Sequence, residues 1–302
     1  DMKAYVVLPL GLISLAMSSG ASAQPLPTPY DFVSNLDLEC YRSTPEPPPA
    51  SSVNLRHLNP ALGGLQQMAN LFELRRVCLP VQKNGRTPPP QVRPFVSEVD
   101  LACYRAEAPP VDIPIRVSHL NPVLGNLPDE TLRITELKQV CLPVEKTAAN
   151  GNPGQPSQTP FNVRQLVQHI DVACYKLQQS TSDVNFPLTL EHLNPVVRGY
   201  NLPGRNTRMR RAFQLCLPVG KDNQPIPPAV RQIVRWVDFL RYRLNPVPAV
   251  SMDLWLEHRN PLYVGAAPFF ESLFTPPNLH LMVPVSKRTP GPNGGVFIPP
   301  QD

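Results

Sequence analysis

The sequence carries little net charge for its length: 28 basic side chains against 23 acidic ones leave +5 over 302 residues. That excess is too mild to build a nucleic-acid surface, so no nucleic-acid partner is expected. Its six cysteines include no Cys-x-x-Cys and no Cys-x-x-Cys-His, which removes zinc, dithiol-redox and haem-attachment readings. Gly-x-Ser-x-Gly, His-Glu-x-x-His and a phosphate-cradling glycine loop are also missing. No catalytic residue, metal or cofactor is therefore predicted, and the chain reads as a non-enzyme. There is no Asn-x-Ser/Thr acceptor, which is compatible with a bacterial envelope. A mean hydropathy of -0.19 excludes a polytopic membrane protein. Glycine is sparse, with 15 residues against 41 prolines. Together they make up roughly a fifth of the chain, below the roughly 25 to 30% that marks low-complexity disorder. The chain is expected to fold, with much loop.

What is present begins with an export signature. Lys3 supplies a positive start, residues 5–17 an apolar run, and Ala21-Ser22-Ala23 a small-residue cleavage pattern before Gln24. The alternative is a retained N-terminal anchor, disfavoured because a spanning helix wants about 20 apolar residues and this run is shorter and holds Pro9 and Gly11.

Self-similarity organises the remainder. Asp37-Leu38-Glu39-Cys40-Tyr41-Arg42 aligns with Asp100-Leu101-Ala102-Cys103-Tyr104-Arg105, with Asp171-Val172-Ala173-Cys174-Tyr175-Lys176 and with Asp238-Phe239-Leu240-Arg241-Tyr242-Arg243. A second block follows each, at His57-Leu58-Asn59-Pro60, His119-Leu120-Asn121-Pro122, His192-Leu193-Asn194-Pro195 and His258-Arg259-Asn260-Pro261. The third is Cys78-Leu79-Pro80-Val81, Cys141-Leu142-Pro143-Val144, Cys216-Leu217-Pro218-Val219 and, altered, Met282-Val283-Pro284-Val285. Proline-rich tracts set the boundaries: 1–23 leader, then copies at 24–90, 91–160, 161–228 and 229–302. Before the Asp of copies two to four, apolar residues fall at i, i+3, i+4, i+7 (Val92, Phe95, Val96, Val99; Val163, Leu166, Val167, Ile170; Val230, Ile233, Val234, Val237), which predicts a short helix. Ahead of the His the period drops to two, and a third apolar segment closes each unit, predicting strands. The expected fold is mainly β with one short helix per module, a tandem array of four small repeats.

Two cysteines at matching places in each of copies one to three predict the bridges Cys40 to Cys78, Cys103 to Cys141 and Cys174 to Cys216. Copy four loses both together, to Arg241 and Met282, as partners would. The order Asp-x-x-Cys-Tyr-Arg/Lys followed by Cys-x-Pro-Val-x-Lys resembles a tandem module of unknown function found in exported proteins of environmental bacteria. That resemblance implies no catalytic residues.

His57, His119, His192 and His258 recur once per copy without a second ligand at fixed spacing, so a turn is the better reading than a metal site or a general base. Asp37, Asp100, Asp171 and Asp238 are read as accepting backbone amides or pairing with the module's basic residue. Arg205, Arg208, Arg210 and Arg211 cluster in what reads as a loop or short helix and form a candidate patch for an anionic glycan, lipid head group or acidic protein. Copy four holds both tryptophans, Trp236 and Trp255, and Trp255, Tyr263, Phe269, Phe270 and Phe274 form a candidate interface with copy three or another chain. The function expected is an exported envelope protein, periplasmic, cell-surface or extracellular, with a structural, scaffolding or protein-binding role. Its partner would be protein, by self-assembly or in a membrane complex, with contact to a membrane surface or glycan as a further option. The alternatives are an accessory subunit of a membrane complex held by an N-terminal helix, and a glycan- or anionic-surface-binding protein.

Overall fold

The structure, a computed structural model, describes residues 25–301 except 63, 154–157, 201, 203, 264, 276–278 and 290–294. The export or anchor segment expected at 1–23 lies outside the described residues. Along the chain run α1 (Pro29–Ser34), β1 (Asp37–Arg42), β2 (Ser52–His57) and β3 (Gln66–Lys83), then α2 (Arg93–Val96), β4 (Asp100–Glu107), β5 (Ile113–His119) and β6 (Glu130–Ala148). Next come α3 (Phe161–Val167), β7 (Val172–Leu177), β8 (Phe186–His192), α4 (Pro195–Arg198) and β9 (Arg205–Lys221). The last are α5 (Pro228–Val234), β10 (Phe239–Leu244), β11 (Ser251–His258), β12 (Phe269–Phe274), β13 (His280–Arg288) and β14 (Val296–Phe297). The fold is mainly β, with short helices before the Asp strands. All twelve apolar residues at the predicted helical offsets are buried.

The strands form one sheet rather than a row of separate units. Each Asp-block strand pairs antiparallel with the long strand of its own copy and with the long strand of the copy before it, in the order β1, β3, β4, β6, β7, β9, β10, β13. β13 then pairs with β1, Leu38 opposite Met282 and Cys40 opposite His280, and the eight strands close into a barrel. A half-open edge in each copy would leave a row of unpaired amides, which closure removes.

The third segment, expected as a short strand near 77–81, is far longer because it does two jobs. Its second half lies in the barrel, while its first half leaves to form an arm with the His-block strand, β2 on β3 or β8 on β9. These arms cross over diagonally. β2 of copy one also pairs with β9, and β8 of copy three with β3; β5 of copy two pairs with β13, and β11 of copy four with β6.

Side chains alternate between two apolar cores. One lies beneath the arms and gathers Val77, Leu79, Val81, Tyr41 and their equivalents from every copy. The other gathers the six cysteines with Leu38, Leu101, Val172, Phe239, Met282 and the buried faces of the helices. This second core is the barrel interior: Arg241 on β10 hydrogen-bonds Gln139 on β6, two strands away from its neighbour β9, a contact only a path across the lumen allows. An eight-stranded barrel is just wide enough to be filled by side chains. The helices touch one another, α1 with α5, α5 with α3 and α3 with α2, and plug the end near the Asp residues.

Candidate functional site

The polar residues that recur in the sequence meet one another. Lys83, Lys146, Lys221 and Lys287, each five residues after the third-block Cys or its Met replacement, pair with Asp37, Asp100, Asp171 and Asp238 of their own copies, all buried. The Asn of the next copy completes the group: Asn121 donates to Asp37 at 2.7 Å, Asn260 to Asp171 at 2.9 Å and Asn59 to Asp238 at 2.9 Å. Asn194 departs from this, donating to the Ser97 carbonyl at 2.9 Å beside Asp100. The same Asn oxygen caps its own turn, accepting from the amide two residues on, as at Val123 and Val196. Burial raises the carboxyls of Asp37, Asp100 and Asp171 and brings Asp238 up to about 6, while the facing lysines oppose the shift. Burial also lowers Lys83, Lys221 and Lys287. In copy four Arg259 stands where the others have Leu, and it reaches Glu145 of copy two at 2.9 Å.

The repeated His and Tyr join diagonal copies. Tyr41 meets His192 at 2.8 Å, Tyr175 meets His57 at 2.9 Å, Tyr104 meets His258 at 3.0 Å and Tyr242 meets His119 at 3.0 Å. The Tyr175 hydroxyl donates to Gln67, so His57 donates to it from Nε2, whereas at His192 the same nitrogen also lies 3.0 Å from Arg205 Nη2, which can only donate. All four Nδ1 atoms are buried without a hydrogen-bond partner, which at His57 suits an unprotonated nitrogen better than an orphaned N–H. Burial holds His57 down at about 3 and His119 and His258 at about 4, and pushes the tyrosines up. A proton-transfer pair works best with values near the operating pH. These are driven away from it, in both directions, and lie beneath the arms. The turn expected at each His-Leu-Asn-Pro is there, and the imidazole within it serves as a latch between copies.

Inside the barrel the copies stack in three layers. Nearest the helices, Leu38, Leu101, Val172 and Phe239 face Pro80, Pro143, Pro218 and Pro284. The prolines offer no amide, but each carbonyl accepts one from the residue after the diagonal His: Leu193, Arg259, Leu58 and Leu120, at 3.0 to 3.1 Å. In the middle layer three disulfides join Cys40 to Cys78, Cys103 to Cys141 and Cys174 to Cys216. Copy four places Arg241 opposite Met282 at that level. The outer layer pairs Arg42 with Arg76, Arg105 with Gln139, Lys176 with Gln214 and Arg243 with His280.

The predicted arginine patch is divided. Arg205 is buried against Glu39 and His192, so it belongs to a latch and not to a surface for anions, a correction with a plain cause: in a strand it shares parity with buried Thr207 and Met209. Arg208 is held by Asn185 at 2.7 Å, Arg210 pairs with Asp183, and Arg211 is exposed on the same strand. Of the aromatic group, Tyr263 is buried beside Lys221 of copy three and Phe274 lies under Arg42 of copy one. Phe269 packs on His258, whereas Phe270 is 45% exposed and meets half-buried Trp255 edge-on at 5.2 Å.

Sequence reasoning had the lysines only as the end of the Cys-x-Pro-Val-x-Lys block and did not name them as the basic partner expected for each Asp, and it gave no role to Arg241, whose signal was the position it occupies. Among the described residues no helix is long and apolar enough to cross a membrane. The three disulfides belong to an oxidising, extracytoplasmic compartment. Set against family models, curated proteins and solved structures, the chain matches none of them.

Proposed function

We propose that this is an exported, non-enzymatic protein of a cell envelope or extracellular space, a fourfold internal repeat closed on itself that acts as a scaffold or protein-binding unit. The observation that carries the reading is the use made of the recurring polar residues. Among the described residues every recurring Asp and Lys is spent on pairing inside its own copy, and every recurring Asn, His and Tyr on holding one copy to another, which leaves no repeated reactive group facing solvent. Copy four differs from the others both inside, at Arg241 and Met282, and at its surface, where the Trp255 and Phe270 pair on the β11–β12 arm is the apolar part of the difference. Exposed aromatics are the residue type that anchors protein interfaces.

A photo-crosslinking residue placed at Phe270 in the full chain, in cells, tests this against the same residue at exposed Met68 on β3. The expected result is one protein adduct of defined mass at position 270 and none at 68. Equal labelling at both positions, or none at either, overturns the binding role. A turnover that His258→Gln abolishes in a protein still folded would overturn the non-enzymatic reading.

A further inference from the structure

The lumen holds positive charge that the protein does not neutralise. Arg241 is fully buried, with Nη1 donating to Gln139 and, at 3.0 Å, to Gln214, while Nε and Nη2 have no hydrogen-bond partner. Its guanidinium also lies 5.8 Å from the centre of the Phe213 ring. Arg76, half-buried one layer outward, has an unpartnered Nη1, and burial together with Arg42 lowers it to about 10. His280 completes the wall with an unpartnered Nδ1 and is driven well below its ordinary value by burial and by Arg241, Arg76 and Arg243. Among the described residues no carboxylate pairs with Arg241, Arg76, Arg42 or Arg243, although the other buried cations of the molecule all have one.

A buried charge without a counter-ion is strongly unfavourable, and a guanidinium does not escape by losing its proton. Three copies fill this level with a disulfide; the fourth has a cation there and unused donors around it. We propose that the barrel lumen at copy four binds a tetrahedral oxyanion, a phosphate or sulfate group, between Arg241 and Arg76. The guanidinium fork presents paired N–H groups matched to two oxygens of such a group, which a monatomic anion does not use. The Gln139 and Gln214 carbonyls already accept from Arg241, so their NH2 groups remain as further donors. Access is graded: Arg42 and Arg243 are exposed, Arg76 half-buried and Arg241 buried, leading from the open end of the barrel, opposite the helices, to the site. The group arrives either as a free ion or as the terminal group of a larger envelope molecule.

The full chain is titrated calorimetrically at pH 7 with inorganic phosphate, sulfate and chloride at matched ionic strength, and then with glycerol 1-phosphate. Saturable one-to-one binding of phosphate or sulfate, absent for chloride, is expected. Arg241→Met keeps the volume, removes the charge, and weakens binding at least tenfold; Arg76→Gln, at a half-exposed position, weakens it about tenfold. Arg241→Cys with Met282→Cys, which restores the fourth cross-link, abolishes it. Binding of glycerol 1-phosphate as well would identify a terminal phosphate group, and binding of the inorganic ions alone a free ion. Chloride binding as tightly as phosphate, no saturable binding, or unchanged affinity in both Arg241→Met and Arg76→Gln would overturn the proposal.

Discussion

Copies one to three and copy four solve one position in two ways. The first three place a covalent bridge between neighbouring strands, Cys40 opposite Cys78 and its two equivalents; the fourth places Arg241 opposite Met282 in the same register. Those strands are already joined by a ladder, and the Asp–Lys and Tyr–His latches are complete in copy four as in the others. The bridge therefore adds to a copy that is already held, and what is lost with it is cross-linking rather than placement. Each bridged loop spans 38 to 42 residues. The chain-entropy account gives such a loop about 4 kcal/mol, and less is usual in practice.

If latches and not bridges place the copies, the largest effect comes from breaking a latch. Asp171→Ala and Asp238→Ala each leave a buried lysine without its partner and should cost about 3–5 kcal/mol in urea unfolding, alike in the bridged copy and the unbridged one. A much smaller loss in copy four would show that it is held by other means. Removing one bridge, by Cys174→Ala with Cys216→Ala, should cost about 2–4 kcal/mol without altering the β content by circular dichroism.

Acid should act next, and on every copy. The folded values of His57, His119 and His258, about 3 to 4, lie below the ordinary one, so their contribution is present above about pH 6.5 and is lost as pH falls towards 4. Each proton taken up on unfolding contributes about 1.4 kcal/mol per pH unit. His169, His192 and His280 are lowered as well, so unfolding free energy measured from pH 7 to 5 should fall, with Asp238 and Glu271 working in the opposite sense and offsetting part of the loss. Glu271, beneath the copy-four arm, is raised by burial to about 7. Its sign is opposite: stability is greatest below about pH 4.5 and is lost as pH rises through 7. Glu271→Gln should therefore stabilise by about 1 kcal/mol at pH 8 and by nothing at pH 4, in the same denaturation series.

Much of this was legible in the sequence. The helical offsets at Val92, Phe95, Val96 and Val99 locate a buried helix because a period of 3.6 against one apolar face has few other meanings. The strand before His119 is visible for the same reason at a period of two. Closure was not visible: nothing in Leu38 or Met282 says that the first copy pairs with the last, since ladder bonds are made by backbone that carries no sequence label. The diagonal arms were hidden too. Half of β3 alternates weakly, with exposed Met68 beside buried Ala69, and reads as loop until its partner strand is known. Arg205 misled because four arginines close in sequence suggest a surface, when strand parity sends Arg205 inward and Arg208 outward, and a register shift between Met209 and Ala212 turns Arg211 outward although it shares the parity of Arg205. Lys83 was equally hard to place, since a lysine after a strand is ordinarily solvated.

The seam between β13 and β1 has a consequence for how the chain must come together. As the chain emerges from its N-terminal end, β1 can find β3 early, and its other edge then stays bare until the last copy has appeared. An unpaired edge recruits other chains, and long-range pairings are slow to form. The Asp–Lys pair of copy one can close beforehand, but Asp238 waits for Asn59 and Asn59 for Asp238, from opposite ends of the polypeptide. Assembly is thus governed by arrival order: an intermediate of two or three copies has two open edges and unpaired latches at both, and is the form most exposed to mispairing.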